Sequence, residues 1–411
     1  MLIRNARLAD GRHVDIVTRD GTITAVGPAD ATVPTGDADA DPNDHDLGGW
    51  LLLPPMAEPH AHLDKALTAE TVPNPTGDLP GAIEAWVTAA AAGVFTHDDM
   101  VVRVRAALDK LLLNGVTAVR SHINCGSGAG IAHLVAAQEA AADYEDLMHV
   151  EFVALTHSPM SGPGSEANRT ALRDAIDAGV HLVGGCPHLE VDGLGSIDVA
   201  LQAAIDAGIP VDLHVDETLD HTMLTLRLLA RAVIERGLEG RVAASHCVSL
   251  GMQTPELQAT ISAEVAAAGL AIVPLPQTNL FLQGRDRAHA TPRGLTAIAA
   301  LRDAGVLIAA GGDNVQDPFN LVGRSDPLET AALLVMAGHV LPNDAYDMVS
   351  NNVRRAMRLP TVRFEVGDPA DFVAIDAPSI RAAIADAPAD RKVFHCGRLV
   401  AATSTDRRIS R

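Results

Sequence analysis

At 411 residues the chain is too long for one small domain and has room for a barrel of roughly 250 residues plus a smaller module. Its composition, 47% hydrophobic and 20% charged, excludes global disorder, and a net charge of −21 argues against nucleic acid or an anionic membrane as partner. Four scattered cysteines without a CxxC, no long apolar run and no apolar leader point to a reduced, cytoplasmic setting without a membrane span. Nothing in the composition excludes a homo-oligomer.

The first elements read as short strands: Leu2 to Arg7, Val14 to Thr18, an Asp20-Gly21 turn, then Thr22 to Val26. Asp-Gly between β-branched runs is a hairpin signal. Pro28 to Asp46, rich in Asp, Pro and Gly, reads as an exposed loop. Next, apolar strands alternate with helical patterns, the signature of parallel βα units. Eight strands are expected: Leu51–Pro55 leading into His60 and His62, Thr117–His122, Glu151–His157, His181–Pro187, Pro210–His214, Arg241–His246, Leu270–Pro276 and Val306–Gly311. Helix starts are marked by Thr96 with Asp99, by Thr254-Pro255-Glu256 and by Ser325-Asp326-Pro327. Asp371 to Ile375 and Val393 to Val400 read as strands again. The expected fold is therefore α/β: a distorted (β/α)8 TIM barrel over 54–362, with a small β-sandwich built from 1–53 and 363–411.

Glu58-Pro59-His60-Ala61-His62-Leu63-Asp64 leaves the first apolar run. Histidines at i and i+2 on a strand share one side of the backbone and can offer two nitrogens to one metal ion. Seven of the 17 histidines fall at or just past expected strand ends: His60, His62, His122, His157, His188, His214 and His246. That end of a (β/α)8 barrel is where active sites sit. His214 offers a third nitrogen, and Glu217 follows it where a loop can return a carboxyl to the barrel mouth as proton shuttle. Asp313, in the Gly311-Gly312-Asp313-Asn314 turn, completes three His and one Asp with a position open for water. Glu217 and Asp313 could instead be helix caps. His246 could ligate or could orient the attacking water; the second role is preferred. Asp212 and Asp303 read as structural. The only lysines are Lys65, Lys110 and Lys392, none at the end of a middle strand, which disfavours a lysine-bridged pair of metals. Lys65 is either a surface cation or a residue of the mouth.

In order and place, His60-Ala61-His62, His214, His246 and Asp313 resemble the amidohydrolase superfamily pattern. Several segments are similar to its cytosine deaminase branch: Pro54 to Asp64, Val183 to His188, His214-Val215-Asp216-Glu217, Ala244-Ser245-His246, Asn279 to Arg285 and Asp313 to Phe319. The resemblance implies one Zn²⁺ or Fe²⁺ held by His60, His62, His214 and Asp313. It further implies that Glu217 protonates a ring nitrogen and passes a proton to departing ammonia, while His246 orients the attacking water. Two positions depart from the branch: His157 stands where a glutamine reads the pyrimidine edge, and Asn314 where a second aspartate is usual. His157, Gln283, Asn314 and Asp317 are expected to read the substrate ring.

The expected activity is that of a metal-dependent aminohydrolase. Water activated at the metal would attack a ring carbon bearing an amino group, releasing ammonia from a cytosine-like pyrimidine or related small heterocycle. Pterin, isoguanine-like, triazine or creatinine-like rings are alternatives, as are amide hydrolysis and a catalytically silent barrel. Cytosine itself is expected to be a poor substrate, because a site built for one amide edge rejects rings that leave its polar groups unpaired.

Overall fold

Eight parallel strands, in strict sequence order, form one of the two sheets of the computed structural model. They are β1 Met56–Ala61, β2 Val116–Cys125, β3 His149–Thr156, β4 Leu182–Val183, β5 Val211–Val215, β6 Val242–His246, β7 Ala271–Val273 and β8 Leu307–Ile308. Residues 1–29, 43–126, 128–406 and 408–410 are described. The loop expected between Pro28 and Asp46 lies largely outside them.

The sheet curls until its edges meet. Asp313 N donates to His60 O at 3.1 Å, and Ala61 bridges Asp313 in parallel fashion. Below that point residues 348–349 stand in the gap, with Ala57 N bonded to Val349 O at 3.0 Å and Ala310 N to Met348 O at 2.7 Å. The barrel is thus closed by hydrogen bonds at its mouth and by an inserted segment further down. Helices cover its outside, with the expected caps: Thr96 accepts from Asp99 N, Thr254 from Leu257 N and Asp326 from Leu328 N.

A second, mixed sheet is built from both termini. Its main path runs from Arg398–Thr403 through Arg391–His395, Phe372–Ile375, Leu51–Leu53 and Leu2–Arg7 to the hairpin of His13–Arg19 and Thr22–Pro28. Asp20 and Gly21 both have positive φ, as a tight hairpin turn requires.

One expectation is corrected here. Leu51–Pro55 is not the first barrel strand: Leu51–Leu53 pairs antiparallel with Val373–Ile375 in the terminal sheet, and the barrel strand begins after Pro54-Pro55, at Met56. Leu52 packs in the core of the terminal sheet, whereas Leu51 and Leu53 pack in the barrel-side core. A strand clamped between two cores is apolar on both faces, so it reads like an interior barrel strand. Among the described residues no helix is long and apolar enough to cross a membrane.

Candidate active site

β1, β5, β6 and the turn after β8 deliver His60, His62, His214, His246 and Asp313 to one buried cluster. The Nε2 atoms of His60, His62 and His214 lie 3.1–3.3 Å apart. Asp313 Oδ1 lies 3.2 Å from His62 Nε2 and 3.6 Å from His60 Nε2. Two of these rings have a partner for their proton on the other nitrogen. His60 Nδ1 donates to Ser245 Oγ at 2.8 Å, since that hydroxyl is itself the donor to Asp212 Oδ1 at 3.1 Å. With its proton on Nδ1, His62 donates to the His122 carbonyl at 3.2 Å.

Neutral imidazoles carry one ring proton, so the Nε2 atoms of His60 and His62 face each other as bare lone pairs. Burial holds all three histidines below their usual pKa, so the charged form gives no way out. Both Asp313 carboxylate oxygens are buried without a hydrogen-bond partner. Two lone-pair nitrogens, a third imidazole nitrogen 3.1–3.2 Å from both and a bare carboxylate are repulsive in large part unless a cation sits among them. The five edges given, 3.1–3.6 Å, match those of a tetrahedron whose corners lie about 2 Å from its centre, the ordinary zinc–ligand distance. The donor set fits a divalent metal ion.

Behind the cluster lies a polar relay. Arg120 Nη1 bonds Asp212 Oδ2 at 2.9 Å, Asp212 Oδ1 accepts from Ser245, and Ser245 accepts from His60. This fixes the His60 tautomer and ring plane, as partners of metal-ligating histidines do. His122 stacks on His60 with ring centroids 3.9 Å apart. Glu58, two residues before His60, accepts from His60 N and Gly312 N and so ties β1 to the turn carrying Asp313. Burial pushes this carboxyl up to about 8. Gly311 is required here, because a Cβ would meet Glu58 Oε1 at 2.2 Å.

His246 and Asp313 both sit at positive φ, 68° and 66°. For non-glycine residues that conformation costs on the order of 1–3 kcal/mol and marks sites where side-chain aim matters more than local stability. His246 Nδ1 bonds Asn279 Oδ1 at 3.1 Å, leaving its Nε2 free toward His60 and His214. Glu217 Oε1 lies 3.6 Å from His246 Nδ1. Burial first, and the Asp313 charge second, push the Glu217 carboxyl well above its ordinary value.

A cavity of about 320 Å³ opens onto this cluster. Glu217, His246, His214, His62 and Asp313 form its polar end, joined by Lys65, Asn124, His157 and Asn314. The helix Leu79–Ala91 supplies an apolar wall through Leu79, Ile83, Trp86 and Val87, spaced to share one face, and Phe319 adds a second ring.

Of the expected ring-reading residues, His157 and Asn314 line the cavity, while Gln283 and Asp317 do not. Gln283 Nε2 donates to the Glu217 carbonyl at 3.1 Å and works behind the carboxyl rather than at the ring. Asp317 is fully buried within its own loop, accepting from Asn314 Nδ2 at 2.8 Å and Phe319 N at 2.8 Å. Neither reaches the cavity lining: Gln283 Nε2 and both Asp317 oxygens are bonded within its walls. His188 does not line the cavity either; its Nδ1 is bonded to the His214 carbonyl at 3.1 Å. Lys65 is not a surface cation; it is 4% exposed and lines the cavity.

Sequence reasoning missed Ser245, Arg120, Glu58 and Asn279, and it gave Asp212 a structural place without its partners Ser245 and Arg120. Strand periodicity carries the missing signal for three of them. Glu58, Arg120 and Asp212 each stand two residues before a clustered histidine (His60, His122, His214), so each points to the same side of its strand.

Residues 88–401 match the model of the amidohydrolase family. A pterin deaminase from Rhizobium rhizogenes (strain K84) is 32% identical over 391 residues, covering 94% of this chain and 87% of that protein. The crystal structure of 5-methylcytosine deaminase from Klebsiella pneumoniae liganded with phosphonocytosine superposes with a TM-score of 0.89 at 27% identity, covering 100% of both chains. N-isopropylammelide isopropylaminohydrolase from Burkholderia multivorans gives 0.82 at 26% identity, covering 98% of each. Members of this family use a divalent metal ion, in keeping with the donor set above. The chain belongs to the amidohydrolase family, within its cytosine deaminase-like branch, and is a hydrolase acting on carbon–nitrogen bonds.

Proposed function

We propose that this hydrolase deaminates an amino-substituted N-heterocycle, with His60, His62, His214 and Asp313 holding one Zn²⁺ or Fe²⁺ ion. The observation that carries the reading is the placement of Glu217, protonated by its burial, beside His246 in one cavity that His62, His214 and Asp313 also line.

A divalent ion so held supplies Lewis acidity and lowers the pKa of bound water. The protein groups do the rest. Glu217, kept in its acid form near neutral pH, donates to a ring nitrogen beside the amino-bearing carbon. Having given up that proton, it can take one from the attacking water and hand it to the leaving nitrogen, so that ammonia departs neutral. His246, anchored through Nδ1 by Asn279, presents Nε2 as a fixed acceptor that aligns the water with the ring face.

A ring lying against Trp86, Ile83 and Phe319 fills this cavity better if it is fused and bicyclic than if it is a single pyrimidine. His157, where the branch reads cytosine with glutamine, can donate or accept according to tautomer and so suits a different ring edge. A pterin-like ring therefore leads and cytosine follows, in line with the similarity to a pterin deaminase. The test is ammonia release by metal-loaded protein over a panel of aminated pteridines, purines, pyrimidines and triazines. Turnover of a pteridine at kcat/KM above roughly 10⁴ M⁻¹s⁻¹ is expected, with cytosine well below it. Preference for cytosine overturns the ring assignment, and a metal-loaded protein silent on the whole panel overturns the deaminase reading.

A further inference from the structure

Lys65 is a buried cation that neither the metal cluster nor the proton transfers use. Its side chain is 5% exposed, and its ammonium stands 5.6 Å from the ring centres of both Trp86 and Phe319. Its protein partners are few. Asn124 Oδ1 accepts at 3.3 Å, and the Asp64 carboxylate is 4.0 Å away, at the outer limit of an ion pair.

The 3.0 Å approach to His62 Nδ1 cannot be a second hydrogen bond while that nitrogen keeps its proton for the His122 carbonyl. A lysine has three N–H donors and no acceptor, so donors remain unspent. Asp64 meanwhile is held through Oδ2 by His133 Nδ1 at 3.1 Å and Asn124 N at 3.1 Å, which keeps its Oδ1 4.0 Å from Lys65, beyond hydrogen-bond reach. A charged donor left short of acceptors in an aromatic-walled cavity is costly unless a ligand completes it.

We infer that Lys65 reads the substrate: its ammonium binds an oxo or oxido oxygen on the heterocycle, one imidazole's width from the metal-binding nitrogens. The ligand class is an aminated ring carrying such an oxygen, and the inference rests on the deaminase reading for the identity of the amino end. Lys65 would act in binding, through KM, and the aromatic collar of Trp86 and Phe319 would keep water from competing for the ammonium.

The test compares pterin with its analogue lacking the ring oxygen. Binding is measured by calorimetry on metal-loaded full-length protein in a Glu217→Gln background, where turnover does not interfere. Pterin should bind about 10–100-fold more tightly than the analogue, the span expected of a hydrogen bond to a charged group. Lys65→Met should collapse that ratio toward unity by weakening pterin alone, with metal content unchanged, and Lys65→Arg should keep part of it. In the otherwise unaltered enzyme Lys65→Met should raise KM for the oxo ring far more than it lowers kcat. An unchanged ratio in Lys65→Met, or failure of the parent to bind either ring, overturns the inference. If the ratio collapses as expected but no aminated ring yields ammonia, Lys65 keeps its role and the deaminase reading falls instead.

Discussion

Ser245→Ala isolates the relay behind the metal cluster. The hydroxyl accepts from His60 Nδ1 at 2.8 Å and donates to Asp212 Oδ1 at 3.1 Å, and the residue is wholly buried. Removing it leaves the His60 proton without an acceptor where water does not reach, a penalty of about 1–3 kcal/mol. Part of that penalty is relieved if the imidazole switches tautomer, but the proton then sits on Nε2 and competes with the metal. Either way the loss falls on metal binding, by about 10–100-fold, or about 1.4–2.7 kcal/mol. Asp212 keeps Arg120, so the barrel interior is not left with an unpaired guanidinium. The more drastic Asp212→Ala would leave Arg120 with Glu151 as its one remaining carboxylate partner and so confuse folding with binding. The assay is titration of the metal-depleted protein with Zn²⁺ against a chromophoric chelator, alongside kcat per bound ion. Weaker binding with little change in kcat per ion is expected, and Ser245→Cys, which retains a weak acceptor, should fall between. Affinity equal to that of the parent would show that the relay does not orient His60 for a metal.

Glu217→Gln should keep its metal, read by mass spectrometry, while turnover falls by a factor on the order of 10² to 10⁴. His246→Asn should likewise lose rate and keep metal; loss of the ion in either variant would make that residue a ligand. Exhaustive chelation should abolish activity, and Zn²⁺ or Fe²⁺ should restore it; activity that survives verified metal removal would refute the assignment of the cluster. Asp317, pushed up to about 7 by burial, gives a pH dependence of stability. An unfolded carboxyl ionises near 3.9, so as pH rises the unfolded chain loses this proton first. The stabilisation is complete below about pH 4 and is lost as pH rises through about 7, on the order of 4 kcal/mol at most. Urea denaturation should show that slope in the parent and a flatter profile in Asp317→Asn; identical profiles would sink the argument.

Much of the site could be read from the sequence because its elements follow two periodicities. The i, i+2 spacing of His60 and His62 and the βα alternation place nitrogens at successive strand ends, and the cluster is where those patterns intersect. The same period-two rule misled at Leu51–Leu53, since a strand apolar on both faces is ambiguous between a barrel interior and the seam between two cores. What periodicity cannot supply is the direction a side chain takes in a loop. Gln283 and Asp317 lie in segments next to the cavity, yet each turns to a backbone partner: the Glu217 carbonyl for one, the Phe319 amide for the other. Lys65 shows the converse. Three residues past His62, it would be written off as a surface charge if Asp64, Trp86 and Phe319, brought together from three separate segments, did not enclose it. Residues that recognise a substrate are set by such non-local packing, whereas metal ligands are set by strand register. That is why family membership and the chemistry of the cluster emerge readily here, while the identity of the ring turns on the few side chains lining one cavity.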